Sequence, residues 1–493
     1  MGSTVGWQAW SPSRAATATF LPLLGVVAAS LLPSVASAAP GQGALQVPKP
    51  APELMQTPLL SPARAPRTLQ ALFARQRLDA SLTRDMSASA LGGAAAAASC
   101  AEVVQGGQVI FQHNAQMPVV PASNMKLLTA TALLDKLGAG YRFTTKVLAS
   151  APPVQGVVHG NLYLLGGGDP LLRLPSFAAV VPGGDPVFTN VTRLVTLLKA
   201  DGVRQVTGSI VGDDGRYDML RQVPGWPSRY AAEGDVGPLS ALGIDDGFAT
   251  AGAPVPVWAP PEVQSAGVLT KLARAAHIVV KGAPAGGAVP AGATVLAQLV
   301  SPPLEQILGE VLRESDNTAM ELLTKELGLQ LRGVGSTAAG TSVVRDDLAA
   351  DGLPLHGFTN EDGSGLSRSD RVTCSLLVAV LERSGPDGLL VRDLPVAGVS
   401  GTLANQLGGT AAAARVRAKT GTLDGVRALS GWVSAVPGQG GGNPVLAPPV
   451  VFAIVLNGLN TSLPDPGSLA DRAALDLARY PLAPALQRFE PGV

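Results

Sequence analysis

Apolar residues recur along this chain at two spacings, and the spacing predicts which segments form helices. Leucines and a phenylalanine follow near-helical spacing over Arg67–Leu82, and an apolar helix is predicted over Lys126–Leu137, with Gly138 ending it. A helical pattern returns over Pro303–Leu329 and again over Leu469–Leu477. Helices are therefore expected in the first third and the last two fifths of the chain.

Strand-like runs fall into three groups. Residues 99–104 and 108–112 flank a Gln105-Gly106-Gly107 turn and predict a hairpin. Short apolar runs separated by Gly and Pro then fill the stretch from about 145 to 300, with one helix near Val191–Ala200. The last runs are Arg415–Lys419, Ala428–Val433 and Val450–Leu456. The pattern predicts an α+β multidomain protein in which a split domain carries a β-rich insertion.

The N-terminus resembles a secretory signal. A lone Arg14 precedes an apolar stretch, Ala15–Leu32, and the small residues Ala36-Ser37-Ala38 follow. An uncleaved membrane anchor is the alternative, because the apolar run approaches the length that spans a bilayer. Both alternatives place the body of the protein outside the cytoplasm, at the cell wall or the outer face of the membrane.

The domain organisation follows from these patterns and from a Pro/Ala-rich tether. We expect the signal or anchor at 1–38, the tether at 39–66, a split domain at 67–145 and 300–493, and the β-rich insertion at 146–299.

Composition narrows the function classes. The chain has 36 Lys and Arg against 36 Asp and Glu, scattered without the basic stripe that nucleic-acid binding requires. The four histidines stand apart from one another, so no metal site or cofactor is expected. The two cysteines, Cys100 and Cys374, are compatible either with one disulfide in an oxidising compartment or with two separate buried thiols.

Three short motifs carry the candidate chemistry. In Ser123-Asn124-Met125-Lys126, directly before an apolar helix, a three-residue offset places the serine and lysine side chains on one face, where the amine can take the hydroxyl proton. Taken alone, a serine at this position is more often a helix cap than a nucleophile. Ser315-Asp316-Asn317 lies at a break between two helical patterns, and Lys419-Thr420-Gly421-Thr422 closes a strand-like run. Taken alone, the first of these two motifs is explained as a helix cap, and the second as a strand end followed by a turn glycine.

Together, in this order, the motifs resemble those of the serine penicillin-recognising enzymes. The runs 164–170, 362–368 and 394–403 narrow the resemblance to low-molecular-mass class C penicillin-binding proteins, the D-Ala-D-Ala carboxypeptidase/endopeptidases, especially the actinobacterial DacB-like members. The resemblance extends from about residue 67 to the C-terminus. It implies a transpeptidase-like domain, an antiparallel sheet flanked by helices, interrupted by an inserted domain.

The resemblance also implies roles for the motif residues. Ser123 is the nucleophile, Lys126 the general base, and Ser315 the relay that protonates the leaving amine. Asn317 binds the substrate backbone, and Lys419 stays cationic to hold a terminal carboxylate. The remaining substrate contacts are Thr420, Gly421 and Thr422. Lys126 must then be neutral, although an ordinary lysine has a pKa near 10.4 and would need roughly 4.6 kcal/mol to be neutral at pH 7.

Two further substrate contacts lie outside the three motifs. The resemblance implies that Arg368 borders the pocket for a carboxylate on the side chain of the stem peptide, a role that suits a bidentate arginine; otherwise it is an ordinary surface arginine. Asp214, next to Asp213 in the insertion, is expected to face an amine of the same side chain; paired aspartates are otherwise turn formers. The sequence departs from the family at Ser369-Asp370 and Ser400, which puts substrate preference in doubt.

The expected function is hydrolysis of peptidoglycan stem peptides, with β-lactam antibiotics as inhibitors. The alternatives are a serine β-lactamase, a non-catalytic wall-binding homologue and a Ser-His-Asp esterase. A β-lactamase is disfavoured because no deacylating Glu motif is evident, and an esterase because no Gly-x-Ser-x-Gly elbow is present. The intact set of serines and lysines argues against the non-catalytic homologue.

Overall fold

The computed structural model describes residues 65–180, 186–248, 260–434, 436–437, 445–447, 449–460 and 467–480. The predicted signal or anchor at 1–38 lies outside these residues, as does the tether at 39–66 apart from its last two positions. Within the described ranges, no helix combines the length and apolar character needed to cross a membrane.

The described ranges contain both helices and strands, with consecutive helices over residues 304–392 and consecutive strands over residues 416–456. The helices are α1 Ala65–Asp85, α2 Ala88–Leu91, α3 Gly93–Ala97, α4 Met125–Leu137, α5 Pro175–Ala178, α6 Arg193–Ala200, α7 Arg229–Ala232, α8 Pro261–Ala275, α9 Leu304–Glu314, α10 Asn317–Arg332, α11 Thr337–Ala350, α12 Cys374–Ser384, α13 Leu389–Arg392 and α14 Gly467–Arg479. The strands are β1 Cys100–Gln105, β2 Gln108–His113, β3 Thr144–Ala149, β4 Val157–Val158, β5 Leu162–Leu165, β6 Leu172–Arg173, β7 Thr189–Asn190, β8 Gln205–Val206, β9 Ile210–Asp213, β10 Val279–Val280, β11 Ala285–Gly286, β12 Thr294–Val300, β13 Val416–Leu423, β14 Val426–Val433, β15 Val436–Pro437, β16 Val445–Ala447 and β17 Val450–Leu456.

The first sheet has five antiparallel strands in the order β13-β14-β17-β1-β2. Every side chain of the central strand β17 is buried. Val451, Ala453 and Val455 pack into a core with α4, α9, α10, α11 and α12, whereas Phe452 and Ile454 pack into a second core with α1 and α14. Because helices cover both faces, β17 is apolar at every position rather than at alternate ones. The predicted α+β class and flanked antiparallel sheet are confirmed.

The second sheet, in the order β11-β9-β5-β3-β12, is drawn from the middle of the chain. β11, β9 and β5 pair in parallel, and β5, β3 and β12 pair antiparallel. A small parallel sheet, β10-β8-β4, and the helices α6 and α8 share its core. The sequence pattern anticipated the strands and α6 but not α8. The insertion therefore contains both helices and strands, since parallel strands need connecting helices.

A disulfide joins Cys100 at the start of β1 to Cys374 at the start of α12, and both residues are fully buried. The sequence alone left a disulfide and separate thiols as alternatives. The disulfide ties the first sheet to the helical layer across a sequence separation of 274 residues.

Candidate active site

Ser123 lies in a 3₁₀ turn, Ala122–Asn124, that leads directly into α4. Ala122 is fully buried with a φ of +49°, a left-handed conformation that a non-glycine residue adopts only when its surroundings enforce it. Ser123 itself is half-buried. Its hydroxyl contacts the amine of Lys126, at 3.1 Å, and the N-cap position of α4 belongs to Asn124 instead of Ser123. The reading of Ser123 as a simple cap is therefore wrong.

Lys126 is fully buried, and its Nζ faces three oxygens. Besides Ser123 Oγ, these are Asn317 Oδ1 at 2.6 Å and the backbone carbonyl of Ser364 at 2.8 Å. The last two are acceptors only. When the amine is neutral, they take its two N–H groups, and its lone pair is left for the Ser123 hydroxyl. This is the arrangement that a general base requires.

Burial lowers the pKa of Lys126 to about 8, although the nearby carboxylates of Asp362, Glu321 and Asp316 act to raise it. An amine with this pKa needs only about 1.4 kcal/mol to be neutral at pH 7. Burial is thus the main source of the pKa shift that a neutral base requires.

The second motif forms the junction between α9 and α10. Ser315 ends α9 with a φ of +60°, in the left-handed region. Asp316 then caps α10, because its side chain accepts the N–H of Ala319 at 2.9 Å. Asp316 also accepts a 2.6 Å hydrogen bond from Arg173, a buried arginine at the end of β6. The junction is therefore fixed both by its own helix and by an arginine from the middle stretch of the chain.

Asn317 connects the base to the insertion. Its Oδ1 accepts from Lys126, and its Nδ2 donates to the backbone carbonyl of Asp235 at 2.8 Å. The role expected for Asn317, binding the substrate backbone, stays a prediction. In the free site both ends of its amide already have protein partners.

Lys419, on β13, is the second fully buried lysine of the site. Its Nζ donates to Ser315 Oγ at 2.8 Å and to the backbone carbonyl of Thr420 at 2.9 Å. Burial, and then the charge of Lys126, lower the pKa of Lys419 well below its ordinary value. The free site thus destabilises the ammonium form of Lys419, and the role expected for Lys419, a cation that holds a terminal carboxylate, stays a prediction.

The rest of the third motif follows along β13. A Cβ atom at Gly421 would lie 2.9 Å from Asn124 Nδ2 and 3.0 Å from the Pro121 carbonyl, so glycine lets β13 run against the Ser123 turn. Thr420 Oγ1 lies 2.7 Å from Thr402 Oγ1, and Thr422 is exposed. The three motifs are therefore brought together at one place.

Sequence reasoning missed the role of the loop 362–366, which closes the site beneath Lys126. A Cβ at Gly365 would lie 1.9 Å from the Ala122 carbonyl, and one at Gly363 would lie 1.9 Å from Thr324 Oγ1. Only glycine permits so close an approach. The two glycines within Asp362-Gly363-Ser364-Gly365 were the available signal, since such spacing favours close backbone packing.

Asp362 holds this loop in its bent form. Its carboxylate accepts the N–H groups of Gly365 at 2.7 Å and Ser367 at 2.6 Å, and the indole N–H of Trp226 at 2.8 Å. Trp226 belongs to the middle stretch of the chain, so the insertion reaches the loop under the base.

Arg368 and Asp214 occupy different surroundings. Arg368 is exposed and donates to the Asp424 carbonyl at 2.9 Å, beside the turn that ends β13. Asp214 is buried, with Arg221 Nη2 at 2.6 Å and Ser240 Oγ at 2.7 Å. The structure does not offer Asp214 as a free carboxylate, because its charge is already balanced by Arg221. Its contact with a substrate amine stays a prediction.

One acidic group in the described part of the chain has the spacing of a metal site. Carboxylate oxygens of Asp135, Asp347 and Asp351 lie within 4.8 Å of one another. Lys136 pairs with Asp347 at 2.6 Å, and Arg383 pairs with the other two at 3.0 Å. These cations balance the cluster, and it shares no residue with the three motifs.

A comparison with protein families matches residues 78–257 and 251–476 to the model of the D-Ala-D-Ala carboxypeptidase 3 (S13) family. Among curated proteins, the chain is 33% identical over 455 residues to a D-alanyl-D-alanine carboxypeptidase of Actinomadura sp. (strain R39), covering 76% of this chain and 79% of that protein. It is 31% identical over 343 residues to a carboxypeptidase of Mycobacterium tuberculosis (strain ATCC 25618 / H37Rv), covering 66% and 70%.

Among solved structures, penicillin binding protein 4 (dacB) from Haemophilus influenzae superposes with a TM-score of 0.64 at 22% identity, covering 81% of this chain and 98% of that one. At this sequence identity the similarity shows the fold alone. It confirms the penicillin-binding-protein architecture that the three motifs predicted.

Proposed function

The chain belongs to the D-Ala-D-Ala carboxypeptidase 3 (S13) family, and from this premise we propose that it hydrolyses peptidoglycan stem peptides through an acyl-enzyme on Ser123. Its class is that of the serine D-Ala-D-Ala carboxypeptidases. The observation that carries the residue-level proposal is the 3.1 Å contact of Ser123 Oγ with Lys126, whose two other partners accept hydrogen bonds only.

Acylation begins when neutral Lys126 takes the hydroxyl proton and Ser123 Oγ attacks the carbonyl carbon of the penultimate D-alanine. The backbone N–H groups of Ser123 and Thr422 are the proposed donors to the developing oxyanion. As the C–N bond breaks, the proton passes from Lys126 through the Ser315 hydroxyl to the leaving amine. Terminal D-alanine departs, and Lys126 is neutral again.

Deacylation repeats these steps with water as the nucleophile. Lys126 takes a proton from the attacking water, which adds to the ester carbonyl, and the proton returns to Ser123 Oγ as the C–O bond breaks. The free enzyme and the shortened peptide result.

Substrate binding offsets the effect of burial on Lys419. A carboxylate placed beside a buried lysine raises the pKa of that lysine, because an opposite charge favours the ammonium form. Lys419 is therefore proposed to become cationic as the terminal carboxylate of the substrate docks. The hydroxyls of Thr420 and Thr422 complete the carboxylate site.

The rim of the site is proposed to bind the side chain of the stem peptide. Arg368 is exposed at the turn after β13, where Asp424 also pairs with Arg229 at 2.7 Å. A second, incoming carboxylate can compete with Asp424 for these arginines.

The pH dependence of Ser123 reactivity should report the base. With an uncharged organophosphorus reagent, the labelling rate is expected to rise about tenfold per pH unit and to level off above about pH 8, since only neutral Lys126 accepts the proton. Carboxylate-bearing ligands such as penicillin should lose reactivity on the alkaline side, because neutral Lys419 no longer attracts them. A midpoint near pH 10 for the uncharged reagent would mean that Lys126 behaves as a solvated lysine.

The protein is further proposed to be exported, with residues 1–38 as a signal peptide or a membrane anchor. The buried Cys100–Cys374 disulfide supports this proposal, because disulfides persist in oxidising compartments.

Muropeptides test the proposed function. Purified protein is incubated with pentapeptide monomers and with cross-linked dimers, and the products are separated by liquid chromatography. Release of D-alanine from monomers is the expected result; conversion of dimers to monomers would add endopeptidase action. If both pools stay intact with folded protein, the proposal fails, and steady turnover of a chromogenic cephalosporin would then favour a β-lactamase.

A further inference from the structure

Glu321 is a fully buried glutamate that the proposed mechanism does not use. It lies on α10, one turn after Asn317, so the two side chains share a face of the helix. Its Oε1 accepts two backbone N–H groups, from Gly363 at 3.0 Å and from Ser364 at 2.7 Å. A buried carboxylate that accepts hydrogen bonds from two adjacent amides of one loop fixes the position of that loop.

The loop held by Glu321 is the one that contacts the base. The carbonyl of Ser364 takes one N–H of Lys126, and the carbonyl of Gly363 accepts the hydroxyl of Thr129 at 2.9 Å. Lys126 and Thr129 are both on α4. The peptide units of Gly363 and Ser364 are therefore held by α10 through their N–H groups and by α4 through their carbonyls.

We propose that Glu321 is a positioning residue for the general base. By fixing the amides of Gly363 and Ser364, it sets the carbonyl that takes one N–H of Lys126, and Asn317 on the same helix face sets the other acceptor. The lone pair of the neutral amine is then directed at Ser123. This inference rests on the proposed function.

Glu321 also acts on Lys126 through its charge. Burial, and then the charge of Asp362, raise the pKa of Glu321 to about 8. When ionised, Glu321 raises the pKa of Lys126, as do Asp362 and Asp316. Lys419 is the neighbouring lysine, and the charge of Lys126 lowers its pKa. Asp370, whose pKa is well raised by burial and by Asp362, is the remaining carboxyl group of this cluster.

Geometry and charge can be separated by two substitutions. Glu321→Gln keeps an oxygen for the two amides but removes the charge, so the pKa of Lys126 falls. With the uncharged organophosphorus reagent, its plateau labelling rate should stay within a few-fold of the wild type, and its midpoint should move below that of the wild type. Glu321→Ala releases the loop and should lower the plateau labelling rate by roughly 10- to 100-fold.

Glu326→Gln is the matched control. Glu326 is on the same helix and equally buried, but its carboxylate binds Arg216, Tyr141 and Tyr217 instead of the loop. Its substitution should lower the unfolding temperature and leave the midpoint of the pH profile unchanged. A merely structural role for Glu321 predicts the same behaviour for both glutamine variants.

The outcomes are distinct. An unchanged plateau in Glu321→Ala would overturn the inference, as would a plateau in Glu321→Gln as low as that of Glu321→Ala. If the Glu321 variants do not fold, Thr129→Val removes the bond to Gly363 from the other side; it should slow labelling several-fold, and an unchanged rate overturns the inference. Absence of any label on Ser123 in folded wild-type protein would instead defeat the proposed function.

Discussion

Replacing Lys126 with methionine is expected to lower the rate constant of Ser123 acylation by roughly 10³-fold, the range that a general base contributes. Methionine keeps an unbranched chain in the buried space but has no lone pair of comparable basicity for the serine proton. Because Lys126 is fully buried and methionine has a similar unbranched shape, the substitution leaves little empty space in the site. The folded state should therefore persist, as checked by circular dichroism and thermal unfolding.

Stopped-flow labelling with fluorescent penicillin measures this rate constant. Lys136→Met is the matched control, since Lys136 lies on the same helix α4 but is partly exposed and pairs with Asp347 instead of the serine. Its acylation rate should match that of the wild type. A Lys126→Met variant that is acylated within tenfold of the wild type would show that another group is the base.

Loss of the disulfide has the second large effect. The bond closes a loop of 274 residues between β1 and α12, and the chain-entropy model gives large loops a stabilisation of up to about 5 kcal/mol. The Cys100→Ala/Cys374→Ala double variant should therefore lose about 3–5 kcal/mol of unfolding free energy. Part of that loss comes from the small spaces that the two missing sulfur atoms leave at fully buried positions.

Guanidinium unfolding of the oxidised wild type and the double variant measures the difference. A reducing agent should lower the midpoint of the wild type and leave that of the double variant unchanged. Coinciding curves for all samples would mean that the two thiols are not bonded in the folded protein.

Short local patterns were enough to place the chemistry. The Gln105-Gly106-Gly107 turn gave the β1–β2 hairpin, and Gly138 ended the apolar helix that became α4. The motif residues Lys126 and Lys419 stand on the elements predicted for them. These features depend on residues close in sequence, which is why a single sequence reveals them.

Helix α11 shows what local pattern does not reveal. It contains Gly340, Thr341, Val343 and Val344, residues with modest or poor helix propensity. A Cβ at Gly340 would lie 1.9 Å from the backbone carbonyl of Thr324 on α10, so the two helices cross at backbone contact. Tertiary packing stabilises this helix, and the glycine that weakens its pattern is what allows the crossing.

The surroundings of the site were equally hidden. Trp226, from the insertion, reaches Asp362, and Asp235, also from the insertion, reaches Asn317. Such contacts join residues more than 80 positions apart through hydrogen bonds that leave no periodic signal. Asp214 illustrates the converse, because an acidic pair in sequence gave no indication that Arg221 would neutralise it.

The covalent intermediate provides the most direct test. Folded protein is exposed to penicillin G, digested with a protease and mapped by mass spectrometry. The account predicts one acyl group, on the peptide that contains Ser123, and none in Ser123→Ala. An unmodified Ser123 peptide in folded wild-type protein, or equal acylation of the alanine variant, would contradict it.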